Sequence, residues 1–415
     1  MQSKDELSVN FREILVGTIV SDHLGKMSFQ YSRNWLDSKK NFPISISLPL
    51  DTKIYGDVAH FWFANLLPEQ QLRTTVARRL RISESNDFAL LKALGGECAG
   101  ALTINEGAPL NEYNKAPQVV TNVDILNWIE HPHELPLIDN EKNMRLSLAG
   151  AQDKIPVLVR DDQIFLPHGG AASTHILKLP SRDFKQLPEN EYFTTRLAKA
   201  FGLNVHEVLL KKIDKKYITL SQRYDRVVSK DGKVLRLHQE DFCQAMGLPS
   251  YKKYEADGGP NLAACINLAN EHTSHPVKTL EQLIKWTTFN FILGNCDAHA
   301  KNISFVWDTN GDLFLSPFYD LVSTLIYESL SRKMALFIGG ESDIYKVSQK
   351  HFKKFAEDIG VKYNIIKEEL QNACSSLPDL IEAESRSMRE LGMQFSKEKE
   401  LIKLVTKQAQ RIKRL

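Results

Sequence analysis

The sequence predicts an α+β fold, and three observations predict it. Residues 14 to about 50 carry period-two apolar patterning, short β-branched runs surround one helix-like stretch between 155 and 237, and helical spacing takes over from about Asn261. Strands and helices are therefore segregated along the chain rather than strictly alternating.

Taken in order, Ile14-Leu15-Val16 is an apolar run, Met27, Phe29 and Tyr31 alternate with polar neighbours, and Ile44, Ile46 and Leu48 alternate with Ser45 and Ser47. These predict a sheet with one wet face. From His60 to Leu94 the pattern turns helical, with Phe88, Leu91 and Leu94 three apart after the capping-competent pair Asn86-Asp87, and Gly95-Gly96 stops it. Residues 107 to 140 carry Pro109, Pro117, Pro132 and Pro136 among polar residues and read as a connector. Strand-like pieces follow at Ile155 to Val159, Ile164 to Leu166, Thr174 to Leu179, Tyr217 to Leu220 and Val234 to Leu237, with a helix from Glu191 to Phe201. Leu283, Trp286 and Phe289 mark the helical remainder, and the tail from Ser385 reads as a charged helix. This organisation predicts three regions: 1–110, a small sheet with helices; 140–245, an α/β lobe; and 246–415, mainly helical. A chain of 415 residues is long enough for two or three packed regions.

Composition excludes several classes. The chain is 42% hydrophobic and 25% charged, as soluble folded proteins are, so neither a disordered nor a fibrous chain is favoured. Lys plus Arg number 53 against 51 Asp plus Glu, too even a balance for nucleic-acid binding by the whole molecule. Cys98, Cys243, Cys265, Cys296 and Cys374 form no C-x-x-C pair, which fits neither a disulfide framework nor a thiolate zinc site. The polar start MQSKDELSVNFRE lacks a signal peptide's apolar stretch, and no segment reaches the roughly 18 apolar residues of a membrane span. The expected compartment is a reducing cytoplasm.

The sharpest chemical feature is Asn295-Cys296-Asp297-Ala298-His299-Ala300-Lys301-Asn302. Asp297 and Asn302 are five apart, the Asp-x-x-x-x-Asn spacing of a kinase catalytic loop. Phosphoryl transfer needs a carboxylate to orient the attacking hydroxyl and an oxygen donor a few residues on to hold magnesium against the nucleotide phosphates. One neutral amide cannot hold a dication alone, and Asp320, ending Leu315-Ser316-Pro317-Phe318-Tyr319-Asp320, is the candidate second ligand. The bland alternative for Asp297 is a loop-capping acid.

Upstream, Ser147-Leu148-Ala149-Gly150-Ala151-Gln152-Asp153-Lys154 precedes an apolar strand, so small residues could bring backbone N–H groups to phosphate oxygens; a plain β-turn is the alternative. Lys178 lies in the apolar strand Thr174-His175-Ile176-Leu177-Lys178-Leu179, where an ammonium group needs a partner such as a nucleotide phosphate unless it is an edge-strand lysine facing solvent. Glu191, thirteen positions on at the expected start of a helix, could hold that lysine, or be a first-turn acid answering the helix dipole.

In this order the motifs resemble the HipA family, the kinase toxins of bacterial toxin–antitoxin pairs. The resemblance is carried by Val16-Gly17, Phe29-Gln30-Tyr31, Ser45-Ile46-Ser47-Leu48-Pro49, Asn65-Leu66-Leu67-Pro68-Glu69 and Gly95-Gly96-Glu97-Cys98-Ala99-Gly100-Ala101. It continues through Ser147 to Lys154, Thr174 to Lys178, Asn190-Glu191, Arg223-Tyr224-Asp225-Arg226, His238-Gln239-Glu240-Asp241, the Asp297 loop and Pro317-Phe318-Tyr319-Asp320, covering about residues 14 to 330. It implies a protein-kinase-like, two-lobed fold behind a small N-terminal subdomain, with ATP and Mg2+ as cofactors. It further implies that Asp297 is the catalytic base, that Asn302 and Asp320 are the magnesium ligands, and that Lys178 contacts the α-phosphate. The Ala149 to Lys154 segment would cover the phosphates, and the backbone of Glu240, Asp241 and Phe242 would be the hinge that meets adenine. His299 and Lys301 belong to the same loop motif, with loop shaping as their alternative role. The family phosphorylates itself at the place of Ser147, which implies autophosphorylation there. A phosphate of nearly two charges at Ser147 would repel nucleotide phosphates.

The implied partners are a small helix-turn-helix antitoxin, operator DNA through that antitoxin, and a cytoplasmic protein substrate, with an aminoacyl-tRNA synthetase as the guess by analogy. Arg223, Asp225 and Arg226 lie near the site in the family, while a local salt-bridge cluster reads equally well. The basic end from Lys403 to Arg414 reads as a solvated helical face. The competing functions are a metal-dependent hydrolase using Asp297 and His299, which lacks the usual third ligand; a catalytically inert binding protein; and a lipid kinase, for which no membrane-binding feature speaks.

Overall fold

The computed structural model describes residues 5–107, 117–132, 135–136, 138–139, 144–145, 154–167 and 171–412. The chain divides into two compact units: Met1–Leu179 with Leu220–Ser250 and Val306–Gly311, and Pro180–Thr219 with Tyr251–Phe305 and Asp312–Leu415.

The first unit opens with an antiparallel sheet of Glu6–Phe11, Ile14–Ser21, Met27–Tyr31 and Leu102–Asn105, in the spatial order third, second, first, fourth. Met27, Phe29 and Tyr31 point into the core as their alternation predicts. The first strand was missed, although Leu7 and Val9 are fully buried; its polar Asn10 is buried too, bonded through Nδ2 to Asn105 Oδ1 at 3.0 Å. Helices Asp57–Ala64, Gln70–Leu80 and Asp87–Leu94 cover the predicted helical stretch. Asn86 caps the last of them, accepting from Ala89 N at 2.9 Å. Gly95 ends it where a Cβ would meet Ile104 O at 2.6 Å.

Two expectations fail in this unit. Ile44 to Leu48 is a turn rather than a strand, because Ser45 supplies both acceptors: its Oγ takes Ser47 N at 3.0 Å and its carbonyl takes Leu48 N at 3.1 Å. The 107–140 stretch contains more than a connector. Gln118–Val120 pairs with the strand Gln163–Leu166, and Thr121 closes a capping box on the helix Asn122–Glu130, which buries Ile125 and Trp128. Pro117 and Pro132 bracket these elements instead of breaking them. A further antiparallel arrangement runs His175–Lys178, Lys154–Arg160, Gln163–Leu166, Gln118–Val120.

The second unit is built on helices Leu187–Ala200, Leu262–His272, Pro276–Leu293, Gln349–Asp358, Tyr363–Glu390 and Glu398–Ile412. The first starts four residues earlier than the sequence suggested, with Pro188 in its opening turn, so Glu191 lies inside it and Glu189 is the first-turn acid. The charged tail is two helices, parted near Gly392, whose φ is +69°. Short strands Leu313–Leu315, Lys333–Ile338 and Glu341–Asp343 also belong here. Among the described residues no helix is long and apolar enough to cross a membrane. All five cysteines are free and buried.

Candidate functional site

In the second unit, the helix Pro276–Leu293 delivers the chain to the Asp297 loop. Gly294 ends it in the left-handed region (φ 65°, ψ 41°), a conformation that glycine adopts without strain. Asn295 then holds the turn: its N–H reaches Asn290 O at 2.9 Å, its Nδ2 reaches Asn290 Oδ1 at 2.8 Å, and its own Oδ1 accepts from Asp297 N at 3.1 Å. Ser323 and Thr324 support the turn from below, Ser323 Oγ donating to Leu293 O at 2.6 Å and Thr324 Oγ1 accepting from Cys296 N at 2.8 Å.

Between Trp286 and Trp307 every residue is buried or half-buried except Asp297. A carboxylate is the group that such a loop presents to water. Tyr254 donates its phenol O–H to Asp297 Oδ1 at 2.8 Å and sets its ring edge-on to His299, centroids 5.2 Å apart. Tyr254 is a residue the sequence reading missed. Its segment is tied to the loop by Ala300 N bonding Lys253 O at 3.2 Å.

Asn302 closes the loop. Its N–H bonds His299 O at 2.9 Å, and its Nδ2 donates to Asp297 O at 3.1 Å, which fixes the amide plane. Its Oδ1 accepts no hydrogen bond among the described residues, so an oxygen donor is held ready rather than consumed. His299 and Lys301 are both buried, and Lys301 O accepts from Tyr319 O–H at 2.6 Å, a loop-shaping contact.

Asp320 is half-buried and has φ +53°, in the left-handed region that costs a non-glycine residue about 1 kcal/mol or more. Its neighbours enforce this. Phe318 N bonds Asn204 O at 2.8 Å, His206 N bonds Phe318 O at 3.2 Å, and Thr194 Oγ1 donates to Leu321 O. Asn190, on the same helix as Thr194, clasps Ser323 through Oδ1 at 3.1 Å and Nδ2 at 3.0 Å. Strain that its surroundings over-determine is a mark of functional positions. Asp320 does not end a strand as expected, since the strand stops at Leu315. Buried Glu191 accepts from Thr219 Oγ1 at 3.4 Å.

Asn302 and Asp320 each carry a hard oxygen donor of the type magnesium takes. Among the described residues no three His, Cys, Asp or Glu side chains gather to hold a metal.

In the first unit, Lys178 and Lys154 are direct partners across the antiparallel strands His175–Lys178 and Lys154–Arg160. Partners in register share one face of the strand pair. Lys178 is only 4% exposed, which argues against a solvent-facing edge lysine. Ser147, Ala149, Gly150, Ala151, Gln152 and Asp153 lie outside the described residues.

Of the expected hinge, Gln239–Asp241 is a strand and Phe242 opens the helix Phe242–Ala245. Asp241 and Gln244 form a capping box in which Asp241 N donates to Gln244 Oε1 at 2.9 Å, so that N–H is already engaged. The carboxyl of Glu240 is turned inward, as set out below. Arg223, Asp225 and Arg226 form a buried salt-bridge cluster with Glu97 and Arg236 rather than a catalytic group. Arg223 contacts Glu97 Oε1 at 3.0 Å and Asp225 Oδ2 at 2.7 Å, Arg226 contacts Glu97 Oε1 at 3.0 Å, and Arg236 contacts Glu97 Oε2 at 2.6 Å. The arginines outweigh the cost of burial and hold the Glu97 carboxyl down to about 2.

Comparison with known proteins gives the family. The model of the HipA-like C-terminal domain matches residues 146–381, and that of the HipA N-terminal domain matches 7–105. The protein Y4mE of Sinorhizobium fredii is 36% identical over 375 residues, 88% of this chain and 89% of that protein. The serine/threonine-protein kinase toxin HipA of Shewanella oneidensis is 29% identical over 389 residues, 90% and 88% of the two chains. A solved complex of Shewanella oneidensis HipA, HipB and operator DNA superposes with a TM-score of 0.84 at 26% identity, covering 98% of this chain and 97% of that one. On these matches the chain belongs to the HipA family of serine/threonine-protein kinase toxins.

Proposed function

We propose that this chain is an ATP- and magnesium-dependent serine/threonine-protein kinase, the toxin of a toxin–antitoxin pair. The observation that carries the reading is Asp297, the exposed carboxylate on an otherwise buried loop, with Asn302 locked to its carbonyl five residues on. Asp297 would accept the proton of a substrate seryl or threonyl hydroxyl as the oxygen attacks the terminal phosphorus of ATP, whose bond to the bridging oxygen breaks so that ADP leaves. Tyr254, bonded to one carboxylate oxygen, orients the group and leaves the other for that hydroxyl. Asn302 Oδ1 and the Asp320 carboxylate would hold magnesium, which when bound neutralises charge on the phosphate oxygens. By the family resemblance, Lys178 and Lys154 would contact nucleotide phosphates and the backbone of Glu240 to Phe242 would meet adenine.

The partners belong to the same reading. A small antitoxin like HipB would bind this chain and join it to operator DNA, as suggested by the resemblance to a protein solved in complex with HipB and operator DNA. The substrate would be a cytoplasmic protein, an aminoacyl-tRNA synthetase by analogy, and Ser147 would be the site of self-inactivating phosphorylation. Mass spectrometry after incubation with ATP and magnesium tests the last point: phosphate should appear on Ser147 in the intact chain and not in Asp297→Ala, and an unmodified Ser147 in an active enzyme would remove it.

A further inference from the structure

The strand proposed to face adenine is held by parts of the chain far away in sequence. Glu240 is fully buried, and its carboxyl oxygens point away from the strand into residues 44–62: Oε1 accepts from Ile46 N at 3.0 Å and Oε2 from Trp62 Nε1 at 3.1 Å. Next to it, His238 Nε2 pairs with Ile44 O at 2.8 Å. Gln244 O accepts from Ser47 Oγ at 2.8 Å, and Gln244 Nε2 donates to Trp62 O at 3.1 Å. On another side, Gly100 packs so closely that a Cβ would stand 3.2 Å from both Gln239 N and Gln239 O. Three separate pieces of the N-terminal region thus converge on His238 to Gln244.

Burying a carboxyl group for structure alone is costly when an apolar side chain could fill the space. Here the group joins a turn, an indole and the strand through two directional bonds, which an apolar residue could not do. We propose that Glu240 is a positioning residue, and that through it the Ile44–Ser47 turn and Trp62 set the strand Gln239–Asp241 for nucleotide binding. The N-terminal region is then part of the ATP site's support, and a partner or mutation that shifts it changes ATP affinity. The inference rests on the kinase reading above.

Burial pushes the Glu240 carboxyl up to about 7, with the charge of Asp241 adding to the rise and the bonds from Ser45, Ile46 and Trp62 opposing it. Tyr31 also faces this carboxyl, its phenol raised chiefly by burial, and burial lowers His238, two residues before Glu240, to about 4. Ionised Glu240 accepts its two bonds more strongly than the neutral acid does. The grip on the strand therefore tightens as pH rises through neutrality.

The test uses the full chain and Trp62→Phe, which keeps an aromatic ring and removes only the indole N–H. Steady-state phosphotransfer should show KM for ATP raised about fivefold to tenfold, the loss of one ordinary buried hydrogen bond, with kcat within about twofold. In the wild type KM for ATP should fall between about pH 6 and about pH 8, and Glu240→Gln should lack that fall beyond what ATP's own ionisation contributes to both. Unchanged KM in Trp62→Phe, or equal pH dependence in Glu240→Gln and wild type, overturns the link while the kinase reading stands. A wild type that binds no ATP overturns the kinase reading and this inference together.

Discussion

At the scale of single residues Tyr254 holds one carboxylate oxygen of Asp297, and its contribution can be separated from that of the proposed base. Asp297→Ala should lower phosphotransfer about 100- to 10,000-fold, the range of a lost general base, with ATP binding retained by titration calorimetry. Tyr254→Phe keeps the ring against His299 and removes only the hydrogen bond to Oδ1. It should lower kcat about tenfold, ~1.4 kcal/mol, and leave KM for ATP in place; unchanged kcat would show that the loop alone aims the carboxylate. Asp297, Asn302 and Asp320 stand out in the sequence because residue type and order along the chain suggest the chemistry proposed for them. Tyr254 was not, because the bond joins residues 43 apart, and an aromatic in coil has no periodicity to betray it. Nothing in the spacing of Glu240 signalled its inward turn either, since Ile46 is 194 residues away.

The elements matter through their ends. The helix Pro276–Leu293 aims the loop only because Gly294 turns left-handed under Leu325 and Leu404, where a Cβ would stand 2.8 Å and 2.9 Å from their side chains. Gly294→Ala should cost about 2 kcal/mol or more in denaturant unfolding, from strain and clash together, and should lower activity beyond the loss of folded protein. Equal stability would mean that the loop tolerates another backbone path. Elements with regular patterning were read well: the strand Met27–Tyr31, the helix capped by Asn86 and the long helices after Asn261 all appeared where periodicity put them. The turn at Ser45 and the helix Asn122–Glu130 were misread because local side-chain bonds and capping decided them against alternation and proline content.

At the scale of the whole molecule, the first unit is cross-linked by the buried Glu97, Arg223, Asp225, Arg226 and Arg236 cluster, which ties residues 97–100 to 223–236. Removing one carboxylate leaves buried guanidinium charge unmatched, so Glu97→Gln should destabilise the fold by about 3 to 5 kcal/mol in urea titration. Both carboxyls are held below their ordinary values by the arginines, Glu97 at about 2 against 4.5. A lowered folded-state value means that this stability is present above about pH 4.5 and is lost as pH falls towards about 2. Wild type and Glu97→Gln should therefore converge in stability on acidification through that window, and parallel curves would contradict the assignment.

The family, and with it the fold, follows from how the motifs are ordered along the chain. The most direct measurement is transfer of labelled terminal phosphate from ATP to protein in cell extract by the purified chain, with and without magnesium, beside Asp297→Ala. The account predicts labelled serine or threonine that needs both magnesium and Asp297. Undiminished labelling by Asp297→Ala, or none by the wild type with ATP bound, would contradict it.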